Sequence, residues 1–156
     1  MNRADSWDSL LQYHAARHGL DWKLMKAQMI AESAGDPEAV SPVGARGLTQ
    51  FMPKTWWEWW DQKEGIEGPP PPDERHNPDK AIGAQAAYLA YLFRVFRPRS
   101  VGRDLTRSVL AAYNWGMGRV IRHLEANGGV IERNALPVET DRYIAAIEKK
   151  LDELGG

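Results

Sequence analysis

Glu32 closes an apolar helical run, directly after Ile30 and Ala31, and leads into the turn Gly35-Asp36-Pro37. A carboxyl held half out of water in this way has a raised pKa, because desolvation disfavours the anion. A raised pKa suits a general acid working near neutrality. The plainer alternative is a glutamate at a helix end facing water, so its surroundings must decide. Asp36 lies four residues on, but its place before Pro37 suits turn capping better than catalysis. His14 and His18 have the i,i+4 spacing of a zinc pair on one helix face. Between them stand Ala15, Ala16 and Arg17, without the glutamate of a metalloprotease motif, and no third ligand is evident. Two half-buried helix histidines are the better account. No metal and no cofactor is expected.

A second chemical candidate is "TWWEWWD", residues 55–61, with tryptophan at positions 56, 57, 59 and 60. At about 100° per residue they fall within an arc of about 160°, with Glu58 opposite. Most of this face is expected to be core, and Trp57, at the arc's edge, is the best candidate for exposure. Lys54, Asp61 and Lys63 give no strongly cationic flank, which disfavours a membrane wedge. A sugar-binding platform stays open.

Composition narrows the function. The chain has 156 residues, 43% hydrophobic, enough for one domain with one substantial core, taken as residues 1–156. A formal charge of −1 gives no global pull towards nucleic acid. A local basic run, Arg94, Arg97, Arg99, Arg103 and Arg107, reads as a solvated loop and helix end, with a landing patch for an anionic envelope polymer as the sharper alternative. The absence of cysteine excludes disulfides, thiolate metal sites and a cysteine nucleophile. The amino terminus shows no signal-peptide pattern and no stretch long enough to span a bilayer, so the chain is expected to be made in the cytoplasm.

The elements that must position these groups are helical. Trp7, Leu10, Leu11, His14 and His18 share a stripe that Gly19 stops. Asp21 caps a second helix with apolar positions Leu24, Ala27, Ile30 and Ala31, broken by Gly35, Asp36 and Pro37. The glycine-studded loop SPVGARGLTQ follows, and Pro53 opens a third helix. Residues from about Gln62 to Arg75, including Pro69 to Pro72, read as loop. Asn77 and Pro78 start a long helix ending near Pro98, and Asp104 caps the next. VIRHLEAN and, after Pro137, ETDRYIAAIEKKLDEL complete the set, with a short extended piece expected near Gly129 to Ile131. The class is mainly α.

From Glu32 onward, "ESAGDPEAVSPVGARGLTQFMPKTW" resembles the first motif of the lytic transglycosylases with the goose-type lysozyme fold: Glu-Ser, Asp/Asn-Pro-x-Ala, Ser-x-x-Gly-Ala-x-Gly-Leu-x-Gln and Met-Pro. "AAYNWGMGRV" is similar to the second motif, and "LPVETDRYIAAI" more weakly to the third. Three ordered matches run from about residue 24 to 147. The resemblance implies a single lysozyme-like helical domain with a catalytic cleft. In it Glu32 is the sole acid/base, Ser41 lies near the catalytic carboxyl and sugar, and Gln50 and Met52 line the cleft. Tyr113 and Asn114 stand opposite the glutamate, and Tyr143 approaches it. Gly44, Gly47, Gly116 and Gly118 are expected to shape backbone. Thr49, where methionine is common, and Trp115, where alanine is common, depart from the pattern, so the glycan subsites are less defined than the acid. The tryptophan helix is expected to pack behind the cleft loop, with the proline-rich segment as a flexible rim.

The implied activity is a peptidoglycan lytic transglycosylase, cleaving the MurNAc–GlcNAc β-1,4 bond and forming 1,6-anhydroMurNAc. A hydrolytic muramidase on the same fold needs a second carboxylate or a held water, and none is evident near the motifs. A non-catalytic wall-binding tail or envelope protein is the alternative from another class. The expected setting is a monomeric phage endolysin acting on peptidoglycan glycan strands of the periplasmic wall. It would be released with a separate holin-like protein, without nucleic acid or stable membrane insertion. A virion-associated lysin and a domain cut from a larger envelope protein are the other settings.

Overall fold

The computed structural model describes residues 2–64 and 73–155, the side chains of 60–64 excepted. Seven helices follow in order: α1 (Asp8–His18), α2 (Trp22–Ser33), α3 (Pro53–Glu64), α4 (Pro78–Phe96), α5 (Leu105–Trp115), α6 (Met117–Ala126) and α7 (Val138–Glu153). Short 3₁₀ turns precede α1, α5 and α7. The stop and start signals hold. Gly19 ends α1 in the left-handed region at φ 67°, and the side chains of Asp21 and Asn77 accept from Lys23 N and Lys80 N.

α2 sits at the centre, packed against α1 and α7, while α4 packs on α1, α3 and α5. Residues 24–29 are buried without interruption, so α2 is enclosed on nearly every side rather than along one stripe. Ala31, expected inside, is exposed, and Ile30 is half-buried. Enclosure forces Lys26 and Gln28 inward, and both are matched. Lys26 Nζ lies 2.5 Å from Asp5 and 2.8 Å from Asp8. Gln28 accepts from Gln85 Nε2 at 2.8 Å, and Gln85 Nε2 also donates to Met25 O at 3.1 Å.

Three local expectations are corrected. α3 runs to Glu64, so Gln62 to Glu64 are helical and not loop. The Pro69–Pro72 segment lies outside the described residues. Asp104 makes no side-chain cap on α5; it is buried, and its carboxylate accepts from Ile131 N at 3.0 Å. That bond and Val101 N donating to Gly129 O at 2.8 Å hold the 129–131 stretch. No strand forms there. The extended pairing among the described residues is confined to single bridges, Val40 with Arg46 and Arg46 with Phe51.

Those bridges tighten the loop that α3 supports. Within α3, Trp56 is buried at 3% exposure and meets Phe51 edge-on at 6.0 Å. Trp57 is 40% exposed, as its edge position on the wheel requires. Trp59 is half-buried against Tyr88 and Tyr91, with ring centroids 5.0 and 4.9 Å away.

Candidate active site

The loop between α2 and α3 is folded by its own backbone. Ser41 N donates to Ala45 O at 2.8 Å, and Ser41 Oγ accepts from Ala45 N at 3.0 Å. Gln50 takes φ 54°, an uncommon value for a side chain-bearing residue. Its amide Nε2 donates to Ala39 O at 3.1 Å and Gly47 O at 2.9 Å, so the side chain offsets the cost of the backbone conformation. Gly47 has φ 86°, and a Cβ there would stand 1.8 Å from Arg75 O. No other residue fits that contact without moving the chain.

Arg75 is the clamp on this loop. It is buried, with Nη1 donating to Gly44 O at 2.8 Å and Phe51 O at 2.7 Å. Its other face pairs with Asp73 at 3.0 Å, and the guanidinium pulls the Asp73 carboxyl down to about 2. From the other side, Thr49 Oγ1 donates to Ala81 O at 3.2 Å, and the Thr49 carbonyl accepts from the Tyr113 hydroxyl of α5 at 3.1 Å. Thr49, a departure from the family pattern, thus fastens the loop to α4.

A cleft of about 240 Å³ opens beside this loop, walled by Gln50, Met52, Tyr88, Tyr113, Asn114 and Trp115. A second recess of about 230 Å³ shares Thr55 and Tyr88 with it and adds Trp59, Glu58 and Tyr91. The tryptophan helix therefore serves two ends. Trp56 packs under the loop, and Trp59 walls a recess that adjoins the cleft. A larger recess of about 390 Å³ near His18, Asp21, Arg94 and Arg97 holds none of the candidate site residues.

Glu32 stands in the last turn of α2, half-buried, with its carboxyl pushed up to about 8. Loss of hydration is the main cause, and the negative charge of Glu139 adds to it; a hydrogen bond from Tyr143 opposes both. Burial, then the charge of Glu32, raises the hydroxyls of Tyr113 and Tyr143 well above the usual tyrosine range. Both stay protonated; the Tyr113 proton is given to the Thr49 carbonyl, and only Tyr143 hydrogen-bonds the Glu32 carboxyl. Gln28 Nε2 donates to the Tyr143 hydroxyl oxygen at 2.9 Å, which leaves the Tyr143 proton for Glu32. Asn114 is oriented from α7, its Oδ1 accepting from Thr140 Oγ1 at 2.8 Å.

The structure thus gathers Gln50, Met52, Tyr113 and Asn114 around one cleft, and couples Glu32 to it through Tyr113 and Tyr143. Glu32 is not itself on the wall of that 240 Å³ volume. Ser41 is also off that wall, and its hydroxyl closes the loop by accepting from Ala45. Gly44, Gly47 and Gly116 have positive φ, whereas Gly118 is helical and a Cβ there would meet only Arg122 Nη1 at 3.6 Å. Gly118 has no backbone demand. His14 is buried and held 2.7 Å from Asp79, and no cluster of three or more metal-ligating side chains exists among the described residues. Of the basic run, Arg107 pairs with Glu148 at 3.0 Å and Arg99 donates to Val95 O at 2.6 Å, while Arg94, Arg97 and Arg103 are exposed.

Sequence reasoning missed Gln28, Gln85, Arg75 and Glu139. Gln85 carries a signal as the lone polar side chain between Ala81 and Ala87, and Gln28, two residues after Lys26, a weaker one. Glu139 stands in the third motif as its glutamate but was given no role, and Arg75 carries no signal, because the carbonyls it holds are distant in the chain.

The sequence profile of the transglycosylase SLT domain matches residues 9–136. The chain belongs to this family. Its relatives include the membrane-bound lytic murein transglycosylase F of Maricaulis maris, 34% identical over 119 residues, covering 76% of this chain and 24% of that protein. The endo-type membrane-bound lytic murein transglycosylase A of Klebsiella pneumoniae is 29% identical over 153 residues, covering 96% of this chain and 74% of that one. Among solved structures, the 70 kDa soluble lytic transglycosylase of Escherichia coli superposes with a TM-score of 0.76 at 28% identity, covering 96% of this chain and 24% of that one. This SLT domain therefore has the mainly helical, lysozyme-like fold that the motifs imply, and spans about a quarter of the Maricaulis and Escherichia proteins.

Proposed function

We propose that this SLT domain is a peptidoglycan lytic transglycosylase with Glu32 as its acid and then its base. The observation that carries this is a half-buried carboxyl raised to about 8, mainly by loss of hydration, with Tyr143 hydrogen-bonded to it and Tyr113 near enough to feel its charge. The relatives named as lytic murein transglycosylases support the same chemistry. Glu32 donates its proton to the glycosidic oxygen as the bond from C1 of MurNAc breaks. The carboxylate left behind takes the proton of the C6 hydroxyl as O6 bonds to C1. The 1,6-anhydro ring closes, the proton count on Glu32 is restored, and no water is consumed. Gln50, Met52, Tyr113 and Asn114 would hold the glycan, Tyr143 would steady the transient carboxylate, and Ser41 would meet the sugar beside it.

One observation favours a second reading. Glu139, at the start of α7, is near enough for its charge to raise Glu32. A second carboxylate is what a hydrolase uses to activate water. Mass spectrometry of products from purified sacculi separates the two. Anhydro ends support the transglycosylase; reducing ends that take up label from heavy water overturn it in favour of a muramidase.

The setting is a further proposal: a monomeric endolysin, made in the cytoplasm, that reaches the wall through a holin-like protein. No helix among the described residues is long and apolar enough to cross a membrane. The membrane-bound relatives offer the competing setting. Cells expressing the chain are expected to lyse only when a pore-forming protein is co-expressed. Lysis without one contradicts the endolysin setting.

A further inference from the structure

Trp115 walls the cleft on one side and, on the other, a separate open recess of about 410 Å³. That second recess is lined by Trp115, Arg119, Arg122, His123, Ala126 and Asn127. It contains two arginines and no carboxylate. Arg119 and Arg122 are both exposed and stand three residues apart on α6, so their guanidinium groups share a face. Arg119 spends one donor on Trp115 O at 3.0 Å, and neither arginine has an ion-pair partner among the described residues. Glu125 turns to a different recess with Ile121 and Leu124. Glu132 is felt by His123 but is paired with neither arginine. His123 itself is buried, its Nε2 accepting from Glu132 N at 3.0 Å, and its ring meets Trp115 edge-on at 6.4 Å. Trp115 is thus braced from behind.

Two unpaired planar cations beside a braced indole form a receptor for carboxylates, which guanidinium binds in bidentate fashion. The wall shared with the cleft fixes what brings those carboxylates. Trp115 walls both the cleft and this recess, so a glycan strand held against Asn114 would have the two arginines beside it, and the muramyl sugar bears an acidic peptide on its lactyl arm. We propose that the recess beyond Trp115 binds the carboxylates of that peptide, making Arg119 and Arg122 the residues that distinguish peptide-bearing from bare glycan. The proposal rests on the peptidoglycan reading of the cleft.

The test uses the Glu32→Gln protein, so that binding is read without turnover. Two probes are titrated by calorimetry: a glycan oligomer carrying its acidic stem peptides, and the same oligomer stripped of them by an amidase. The peptide-bearing probe is expected to bind about tenfold more tightly or better. Arg119→Ala/Arg122→Ala is expected to erase that preference while leaving affinity for the stripped probe unchanged, which also shows that the fold is intact. Equal binding of the two probes, binding of neither, or a preference that survives in the double variant overturns the proposal. Turnover of the peptide-bearing probe by the unmodified protein is read in parallel. Absence of anhydro product there counts against the enzymatic reading alone, because the binding comparison needs no catalysis.

Discussion

Glu32→Gln is expected to lower release of anhydro-muropeptides from purified sacculi by about a thousandfold or more, with the fold retained. Glutamine keeps the shape and the hydrogen-bond acceptor for Tyr143, but has no proton to give the leaving oxygen and no basicity to take one back. Among the described residues, no other carboxylate acts on both tyrosines. Activity equal to the parent would remove Glu32 from the mechanism.

The same substitution changes how stability depends on pH, with a fixed sign. The Glu32 carboxyl rises from 4.5 to about 8 on folding, so between these values the folded protein binds more protons than the unfolded one. Stability at Glu32 is therefore fully present below about pH 4.5 and declines as pH rises towards 8. The cost above that range is on the order of a few kcal/mol, moderated by the partial exposure of the side chain. Glutamine does not titrate. The Glu32→Gln protein should gain stability relative to the parent as pH is raised from about 5 to about 9, measured by thermal unfolding at each pH. A parallel pair of curves would mean that Glu32 is solvated.

Trp56→Ala should cost about 3–5 kcal/mol of unfolding free energy, the range for emptying a large aromatic site in a core. Trp56 is 3% exposed and, with Phe51 and Ala84, forms the small core beneath the cleft loop, with Tyr88, Tyr113 and Trp59 packed around it. The cavity left would sit under Phe51, whose carbonyl is one of the two that Arg75 holds. The loss should spread to the loop, so glycan affinity should fall as well. Trp57→Ala, at a 40% exposed position one residue away, should change stability by less than about 1 kcal/mol. Chemical denaturation of the two variants checks the pair. Small and equal losses would contradict the division of the tryptophan helix into a buried and an exposed face.

Much of this was legible in residue order. Asp21, Asn77, Pro53 and Gly19 marked helix ends because capping and backbone freedom act locally. The wheel placed Trp56 and Trp57 correctly because α3 has one covered face. It failed at α2, where Ala31 is exposed and Lys26 and Gln28 are buried, because a central helix has neighbours all round and periodicity loses its meaning. Asp104 misled for another reason: a cap signal was present, but a backbone N–H from residue 131 took the carboxylate. The motifs placed Gln50, Tyr113, Asn114 and Tyr143 together. They gave no hint of how these are held. Arg75 reaches back to Gly44 and Phe51, Gln28 sets the direction of the Tyr143 hydroxyl, and Glu139 adds its charge from α7, all contacts that tertiary folding alone creates.

Whether the side chain of residue 32 keeps its proton at neutral pH decides the mechanism. The direct measurement is an NMR titration of the ¹³C-labelled Glu32 carboxyl carbon, assigned by its absence from the Glu32→Gln spectrum. A midpoint near 8 is expected, with tyrosine ring resonances of Tyr113 and Tyr143 shifting through the same inflection. A midpoint at the ordinary glutamate value, with both rings indifferent to it, would contradict the proton-donor assignment.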